Sequence, residues 1–247
     1  MKAMILAAGL GTRLKPITDK IPKALVKVDG IPMLQRVILK LKSQGFNYIV
    51  VNVHHFTEQI IDFLSKKDFG IEIVISDESD ALLDTGGGII KARNLLFKYD
   101  NNPFLVHNVD ILSNGDLDEI EKGIMGGACL LVSNRPSGRK LIFDEGMTLR
   151  GWHNLDNGAY RPAEFQLKKG DIELAFSGIY SMSRRGVEEM ERLLGYGKFS
   201  VMDYFLHPDR KERIQGMEQK GLKLIDIGKP ATLSRASEIL KELSTEY

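Results

Sequence analysis

With a single cysteine, Cys129, the chain cannot close a disulfide within itself, and a reducing compartment suits it. That cysteine stands in the apolar run Ala128–Val132 and reads as a buried strand thiol rather than a reactive one. Net charge is nearly absent: 34 basic against 33 acidic residues leave +1, so no general electrostatic pull toward nucleic acid or a membrane surface exists. No apolar run approaches the ~20 residues of a membrane span. The stretch Met1–Gly9 begins like a signal peptide, but its apolar part is too short and runs into Arg13 and Lys15. It reads as the first buried strand of a cytoplasmic protein. Internal repeats and low-complexity linkers are also missing, which favours one domain. At 247 residues, 43% hydrophobic and 27% charged, the chain can bury a substantial core.

Up to about residue 110 the pattern alternates strand and helix. Lys2–Ala7 is a short apolar run ending at glycine, and Pro32–Gln44 places Met33, Leu34, Val37, Ile38 and Leu41 on one helical face before Gly45. Tyr48–Val53 is β-branched and reads as a strand, and Thr57 is positioned to cap a helix reaching about Ser65. Ile71–Ile75 then reads as a strand, Gly88–Lys98 as a helix and Phe104–Val109 as a fourth strand. This alternation predicts an α/β protein, a Rossmann-like three-layer sandwich whose mixed sheet is mainly parallel. Ligands on such sheets sit beyond the carboxyl ends of the strands, here Ala8–Lys15, His54–His55, Ser76–Gly88 and Asp110–Asn114.

The second half is less regular. Lys140–Phe143 and Met147–Trp152 flank Asp144-Glu145-Gly146 as a hairpin would. Ile172–Met182 and Lys223–Ile227 read as strands, and Thr232–Leu243 as a closing amphipathic helix. Val187, Met190, Leu193 and Leu194 form an ordinary helix-packing stripe, and residues 153–171 are polar, a surface loop or hairpin. Residues near 134–172 are expected to form a small lid-like insertion.

After the first strand, Gly9 and Gly11 would let backbone N–H groups approach phosphate oxygens that a Cβ would hold off. Two glycines alone say little. Leu14 stands where the dinucleotide pattern needs a third, and the Gly-Lys-Ser/Thr ending of a P-loop is missing. The continuation is far more specific. Leu6–Leu34, LAAGLGTRLKPITDKIPKALVKVDGIPML, is followed by Leu83-Asp84-Thr85-Gly86-Gly87-Gly88, Asn108-Val109-Asp110, Phe176-Ser177-Gly178-Ile179 and Ile225-Asp226-Ile227-Gly228. In that order these segments resemble the signature of the sugar-1-phosphate nucleotidyltransferases, or NDP-sugar pyrophosphorylases. The resemblance is strongest to short members of the N-acetylmuramate-1-phosphate uridylyltransferase and mannose-1-phosphate guanylyltransferase type. Nothing in the chain resembles the hexapeptide β-helix of longer members.

The resemblance implies a single nucleotidyltransferase domain over 1–247, with 1–115 as the nucleotide half and 116–247 as the sugar-phosphate half. It implies the reaction NTP + sugar 1-phosphate ⇌ NDP-sugar + pyrophosphate, magnesium-dependent, by in-line attack on the α-phosphate. Its partners are a nucleoside triphosphate and a sugar 1-phosphate, without nucleic acid or membrane, and nothing fixes an oligomeric state. Two multiply charged anions must meet, and one like-charge pair at ~4 Å costs about 4 kcal/mol at an effective dielectric near 20. Fixed cations and a metal answer that cost.

By resemblance, Arg13 holds the β- and γ-phosphates with its planar fork, and Lys23 bridges the α-phosphate and the sugar phosphate as a point charge. A solvated surface cation is the alternative for each. Asp110 and Asp226 are the implied magnesium ligands, against the plainer reading of strand-end turn caps. Members usually carry glycine before that first acid. Here Val109 precedes Asp110, and alternation would send Val109 to one face with Asn108 and Asp110 on the other. Ala8, Gly9, Gly11, Thr12, Thr85, Gly86, Gly87 and Asn108 complete the implied nucleotide site, the glycine run lying against the base.

The sugar side departs from the pattern. Relatives often carry Glu-Lys-Pro, whereas the comparable region reads Ser133–Lys140, so Arg135 or Arg139 would replace that lysine. Arg139, Ser177 and Gly178 are the sugar-phosphate candidates beside Lys23. Asp203 is a contact by position only, and Trp152 is read as packing more than stacking. His54-His55 lacks further ligands at zinc spacing. Two rivals differ in class: a phosphocholine cytidylyltransferase-type enzyme of the same fold, which would want an aromatic cage, and a non-catalytic nucleotide-binding subunit. The simultaneous presence of Arg13, Lys23, Asp110 and Asp226 argues against the second. The base should be read through N–H and C=O groups, which favours UTP, then GTP, and makes ATP poorest.

Overall fold

The computed structural model of the protein describes residues 1–243. The first half runs β1 (Lys2–Leu6), a small ribbon of β2 (Lys27–Val28) and β3 (Ile31–Pro32), α1 (Met33–Ser43), β4 (Tyr48–Val53), α2 (Thr57–Ser65), β5 (Glu72–Asp77), α3 (Asp84–Leu96), β6 (Phe104–Asn108), β7 (Ile111–Ser113) and α4 (Leu117–Lys122). The second half runs β8 (Ala128–Ser133), β9 (Arg139–Phe143), β10 (Leu149–Asn154), β11 (Ala159–Arg161), β12 (Ile172–Met182), α5 (Arg184–Leu194), α6 (Val201–Phe205), β13 (Ile214–Glu218), β14 (Leu224–Asp226), α7 (Pro230–Leu233) and α8 (Ala236–Glu242).

Among the described residues a ten-stranded sheet runs β11-β10-β9-β12-β6-β1-β4-β5, with β8 and β13 branching from β12. β1 pairs in parallel with β4 and with β6, and β4 with β5, while β12 lies antiparallel to β6. The sheet is therefore mixed: β6-β1-β4-β5 form a parallel half, and from β12 to β11 the pairing is antiparallel. Pleating sends alternate residues of β1 and β4 to opposite faces. Ala3, Ile5, Ile49 and Val51 join α1, α2 and α4 in one core. Met4 and Val50 join α3, α5 and α6 in the other. These are the three layers.

The chain builds β1, β4 and β5 outward on one side of β1 and then returns to lay β6 on the other. Strand order reverses at β1, and the crevice beyond the carboxyl ends of β1 and β6 is the place where such sheets hold ligands.

Several expected boundaries move. Thr57 does not cap α2: its Oγ1 donates to the His54 carbonyl at 2.8 Å, and Phe56, at a left-handed φ of 53°, precedes the helix. α3 begins at Asp84, not Gly88, so all three glycines lie inside its first turns. The expected strand at 223–227 shortens to β14, which pairs only with β7, apart from the main sheet. The closing helix at 232–243 divides into α7 and α8. Residues 134–172 hold the β9–β10 hairpin and β11, which extend one edge of the sheet. Cys129 is fully buried in β8. No described helix is long and apolar enough to cross a membrane.

His107 of β6 is 1% exposed, and burial pushes its imidazole down to about 4 from 6.5. Between those values the unfolded chain binds a proton that the folded chain refuses. Stability from this group is therefore complete above pH 6.5 and lost as pH falls toward 4, by about 3 kcal/mol at most. Urea unfolding from pH 7 to 4.5 should show a shallower decline in His107→Gln than in the wild type. Equal slopes would contradict the assignment.

Candidate active site

The loop after β1 is held from below. The Ala7 N–H donates to Asn52 Oδ1 at 2.8 Å, and Ala8 is nearly buried, while Gly9 and Leu10 are exposed. A Cβ on Gly9 would meet nothing within 4 Å, so the space above it is open. Gly11 is different. Its φ is +65°, and a Cβ there would come within 2.8 Å of Thr18 Cγ2 and 3.0 Å of Lys23 Cβ. The Gly11 carbonyl accepts from Thr18 Oγ1 and from the Leu14 N–H, both at 2.8 Å. Glycine at 11 thus lets the segment carrying Lys23 pack against the loop, while Thr12 and Arg13 point outward from a 3-10 turn.

Both acids are set by the β7–β14 ribbon. Asp226 stands opposite Ile111 in the register, beside Asp110, and the Ile227 N–H donates to the Asp110 carbonyl at 2.9 Å. Val109 is buried in the core, as alternation predicted, which leaves Asp110 directed at the crevice. A Cβ on Gly228 would lie 2.6 Å from Asp110 Oδ2, 2.8 Å from Asp226 Oδ1 and 2.9 Å from Lys23 Nζ. Two carboxylates and one ammonium therefore converge on a point that only glycine leaves free. Lys23 forms an ion pair with Asp110, their side chains 13% and 11% exposed. Arg13 Nη1 lies 3.9 Å from Asp226 Oδ2. The four residues singled out by resemblance are brought together.

Beside them opens a cleft of about 520 Å³ lined by Arg13, Arg139, Trp152, Arg161, Phe176 and Asp226. Arg139, not Arg135, faces it. Arg135 Nη2 donates to the Phe176 carbonyl at 2.9 Å, and its Nε is buried among the described residues without a partner. Burial pushes the Arg135 guanidinium below its ordinary range, while the nearby Asp226 carboxylate opposes the shift. Trp152 both packs against the core and forms cleft wall. Ser177 and Gly178 do not line the cleft. They lie where the pairing of β12 with β8 slips, both are buried, and Ser177 Oγ accepts from the Ile179 N–H at 3.1 Å. Gly178, at φ +78°, makes room for Asn108, whose Nδ2 would be 2.6 Å from a Cβ. Asp203 accepts from Arg161 Nη2 at 3.1 Å and from the Ser200 N–H at 3.0 Å, so it joins the insertion to α6.

The glycine run packs inward on the segment 197–201. A Cβ on Gly86 would strike the Phe199 ring at 2.3 Å, and one on Gly87 would come within 2.0 Å of the Gly197 carbonyl oxygen. The N–H groups of Gly86 and Gly87 both donate to the Phe199 carbonyl, at 3.0 and 3.3 Å, and Thr85 Oγ1 accepts from the Val201 N–H at 2.9 Å. These glycines serve close packing of α3 on the segment 197–201. What this turn presents outward is Asp84, exposed and at a left-handed φ of 61°, its Oδ1 accepting from the Thr85 N–H. Sequence patterns did not single it out, although a non-glycine residue in that backbone region is uncommon and clusters at functional turns. His54 Nδ1 faces the Glu78 carbonyl and the His55 ring packs at a tilt against Phe56. Among the described residues no three His, Cys, Asp or Glu side chains gather as a metal cage.

Residues 2–124 match the family described as Nucleotidyl transferase. The chain is 44% identical over 117 residues to N-acetylmuramate alpha-1-phosphate uridylyltransferase of Neisseria meningitidis serogroup B, covering 47% of this chain and 49% of that protein. It is 36% identical over 140 residues to probable mannose-1-phosphate guanylyltransferase 1 of Oryza sativa subsp. japonica, 54% of this chain and 38% of that one. The matches thus span half or less of these curated relatives. HddC from Yersinia pseudotuberculosis superposes with a TM-score of 0.76 at 26% identity, over 96% of this chain and 98% of that one. The same protein complexed with GMP-PN gives 0.74.

The two kinds of glycine should separate on substitution. Gly87→Ala drives a methyl group into backbone and should cost more than about 2 kcal/mol in urea unfolding. Gly9→Ala, with open space above it, should stay within about 0.5 kcal/mol of the wild type. A stable Gly87→Ala protein would contradict the packing described for α3.

Proposed function

We propose that this chain, which over residues 2–124 belongs to the nucleotidyl transferase family, joins a nucleoside triphosphate to a sugar 1-phosphate and releases pyrophosphate with magnesium as cofactor. The observation that carries this is the convergence of Asp110, Asp226 and Lys23 on Gly228, with Arg13 against Asp226 at the mouth of a basic cleft. We read 1–247 as one domain in a cytoplasmic setting.

The donor set suits magnesium, which takes one or two carboxylates and completes its shell with phosphate and water. Asp110 and Asp226 would hold the ion, and a side chain at 228 would fill the same space. When bound, the ion neutralises charge on the phosphates about to react. The remaining work belongs to the chain. Arg13 leaves Asp226 to take the β- and γ-phosphates in its fork. Lys23 turns its ammonium from Asp110 toward the α-phosphate and the incoming sugar phosphate. Gly9 exposes backbone at the loop, and Arg139 and Arg161 hold the anion in the cleft. An oxygen of the sugar phosphate attacks the α-phosphorus as the bond to the β-phosphate breaks, and pyrophosphate leaves. That oxygen is already ionised, so no general base is needed. Positioning and charge neutralisation supply the rate.

For the base, we retain UTP first and GTP second. Both present an N–H/C=O edge that backbone groups can read, and adenine lacks it. Relatives named for uridylyl and guanylyl transfer support this order. kcat/KM across UTP, dTTP, GTP, CTP and ATP with several sugar 1-phosphates decides it, and a preference for ATP would overturn it.

Asp110→Asn and Asp226→Asn should each lower turnover by roughly 10²–10⁴-fold, about 3–5 kcal/mol of transition-state stabilisation. Near-normal magnesium-dependent turnover in both would remove the metal assignment. Arg13→Ala should raise KM for the nucleotide and for pyrophosphate in the reverse direction, whereas Lys23→Ala should damage sugar-phosphate use and turnover together. If both variants raised only the sugar-phosphate KM, the division of roles would be wrong.

A further inference from the structure

Beneath the nucleotide loop lies a carboxylate that the proposed chemistry leaves unused. Glu78, just after β5, is 0% exposed. Its Oε1 accepts from Asn52 Nδ2 at 2.7 Å, and its Oε2 accepts from the Leu83 N–H at 3.3 Å. Asn52, on β4, in turn accepts the Ala7 N–H through Oδ1 at 2.8 Å. Three hydrogen bonds thus run unbroken from the residue that opens the phosphate loop to the residue that opens the turn at Asp84. α3 closes over the bridge: a Cβ on Gly88 would lie 2.7 Å from Glu78 Oε1 and 3.0 Å from Asn52 Nδ2. The Glu78 backbone is tied as well, its N–H donating to the Val53 carbonyl at 2.7 Å and its carbonyl accepting from the Ala81 N–H at 3.0 Å.

A buried carboxylate is costly, and no Lys or Arg among the described residues pairs with this one. Burial pushes its carboxyl above the ordinary range, against the hydrogen bonds from Asn52 and Leu83. Its chemistry explains why it is there. A carboxylate offers two acceptors and no donor, and each oxygen here takes one donor from a different wall of the crevice.

We propose that Glu78 is a positioning residue for the nucleotide: through Asn52 it fixes the Ala7–Gly9 backbone and the Leu83–Thr85 turn at one separation. The proposal rests on reading those two segments as the phosphate and base walls of the site proposed above. The hydrogen-bond pattern supplies a specific test. Glu78→Gln keeps the shape but replaces one acceptor with a donor, which must then face the Asn52 amide or the Leu83 N–H. Asn52→Asp alone sets a second carboxylate against the first. The variant carrying both changes restores all three bonds with only the central one reversed: the new amide donates to the new carboxylate, and acceptors remain for the Ala7 and Leu83 N–H groups.

Binding of UTP and GTP with magnesium, followed by calorimetry without sugar phosphate, should weaken by roughly 10- to 100-fold in each single variant. It should return to within about threefold of the wild type in the double variant, and the sugar-phosphate KM at saturating nucleotide should stay within about threefold throughout. Wild-type affinity in Glu78→Gln, no recovery in the double variant, or a parallel rise in the sugar-phosphate KM would each overturn the proposal while the transferase reading stands. A wild-type protein that binds neither nucleotide would remove both.

Discussion

Two ion pairs meeting at Gly228 govern this site. Lys23 sits on Asp110 and Arg13 lies near Asp226, so two acids and two cations balance where the proposed function puts a polyanion. The pairs differ in kind. The Lys23 and Asp110 side chains are almost enclosed, at 13% and 11% exposure, whereas those of Arg13 and Asp226 are 53% and 37% exposed and 3.9 Å apart. A pair that open to water holds its partners weakly and is screened by salt. In the proposed function Arg13 is thus the arm that reaches first for a ligand, and Lys23 the charge held on Asp110 until another cation replaces it. Removing one member of an enclosed pair is expensive because the other is left buried and unpaired. Exchange therefore requires that Asp110 gain a cation as Lys23 gains an anion, which a metal–nucleotide complex would provide together.

The remaining architecture serves this arrangement. The reversal of strand order at β1 opens the crevice, Gly11 lets Lys23 pack against the loop, and the β7–β14 ribbon joins acids more than a hundred positions apart. Val109 anchors the turn before Asp110 in the core, so the absence of glycine there leaves the acid in place. On the far side, Arg161 and Asp203 tie the β9–β10–β11 extension to α6, and the Val201 N–H ties α6 to Thr85. The β9–β10–β11 extension and the turn that opens α3 are therefore linked through one short helix.

Much of this was legible in the residues, and the remainder had definite causes. Strands β1 and β4 of the parallel half are mainly apolar runs and could be read directly, as could α1 from the spacing of Met33, Leu34, Val37, Ile38 and Leu41. β7, at three residues, is too short for any periodicity to show, whereas β14 was legible as the apolar run at 223–227 and is only shorter than expected. Arg13, Lys23, Asp110 and Asp226 could be singled out because they sit in long, specific motifs, and the fold brings them together. The packing of the α3 glycines could not be read, because the Phe199 and Gly197 they meet lie over a hundred residues away. Ser177 and Gly178 sat in a matched motif, but a strand irregularity turns them inward and presents Phe176. Asn52 and Glu78 left no trace in composition or spacing, since a buried polar bridge exists only once its strands are assembled.

The exchange of partners around Gly228 can be observed directly. A crystal of the protein with UTP or GTP and manganese in place of magnesium, measured at the manganese absorption edge, locates the metal without relying on turnover. An anomalous peak is expected between the Asp110 and Asp226 carboxylates, with Lys23 Nζ moved from Asp110 to a phosphate oxygen. A metal bound elsewhere, or a nucleotide seated while Lys23 still holds Asp110, would contradict it.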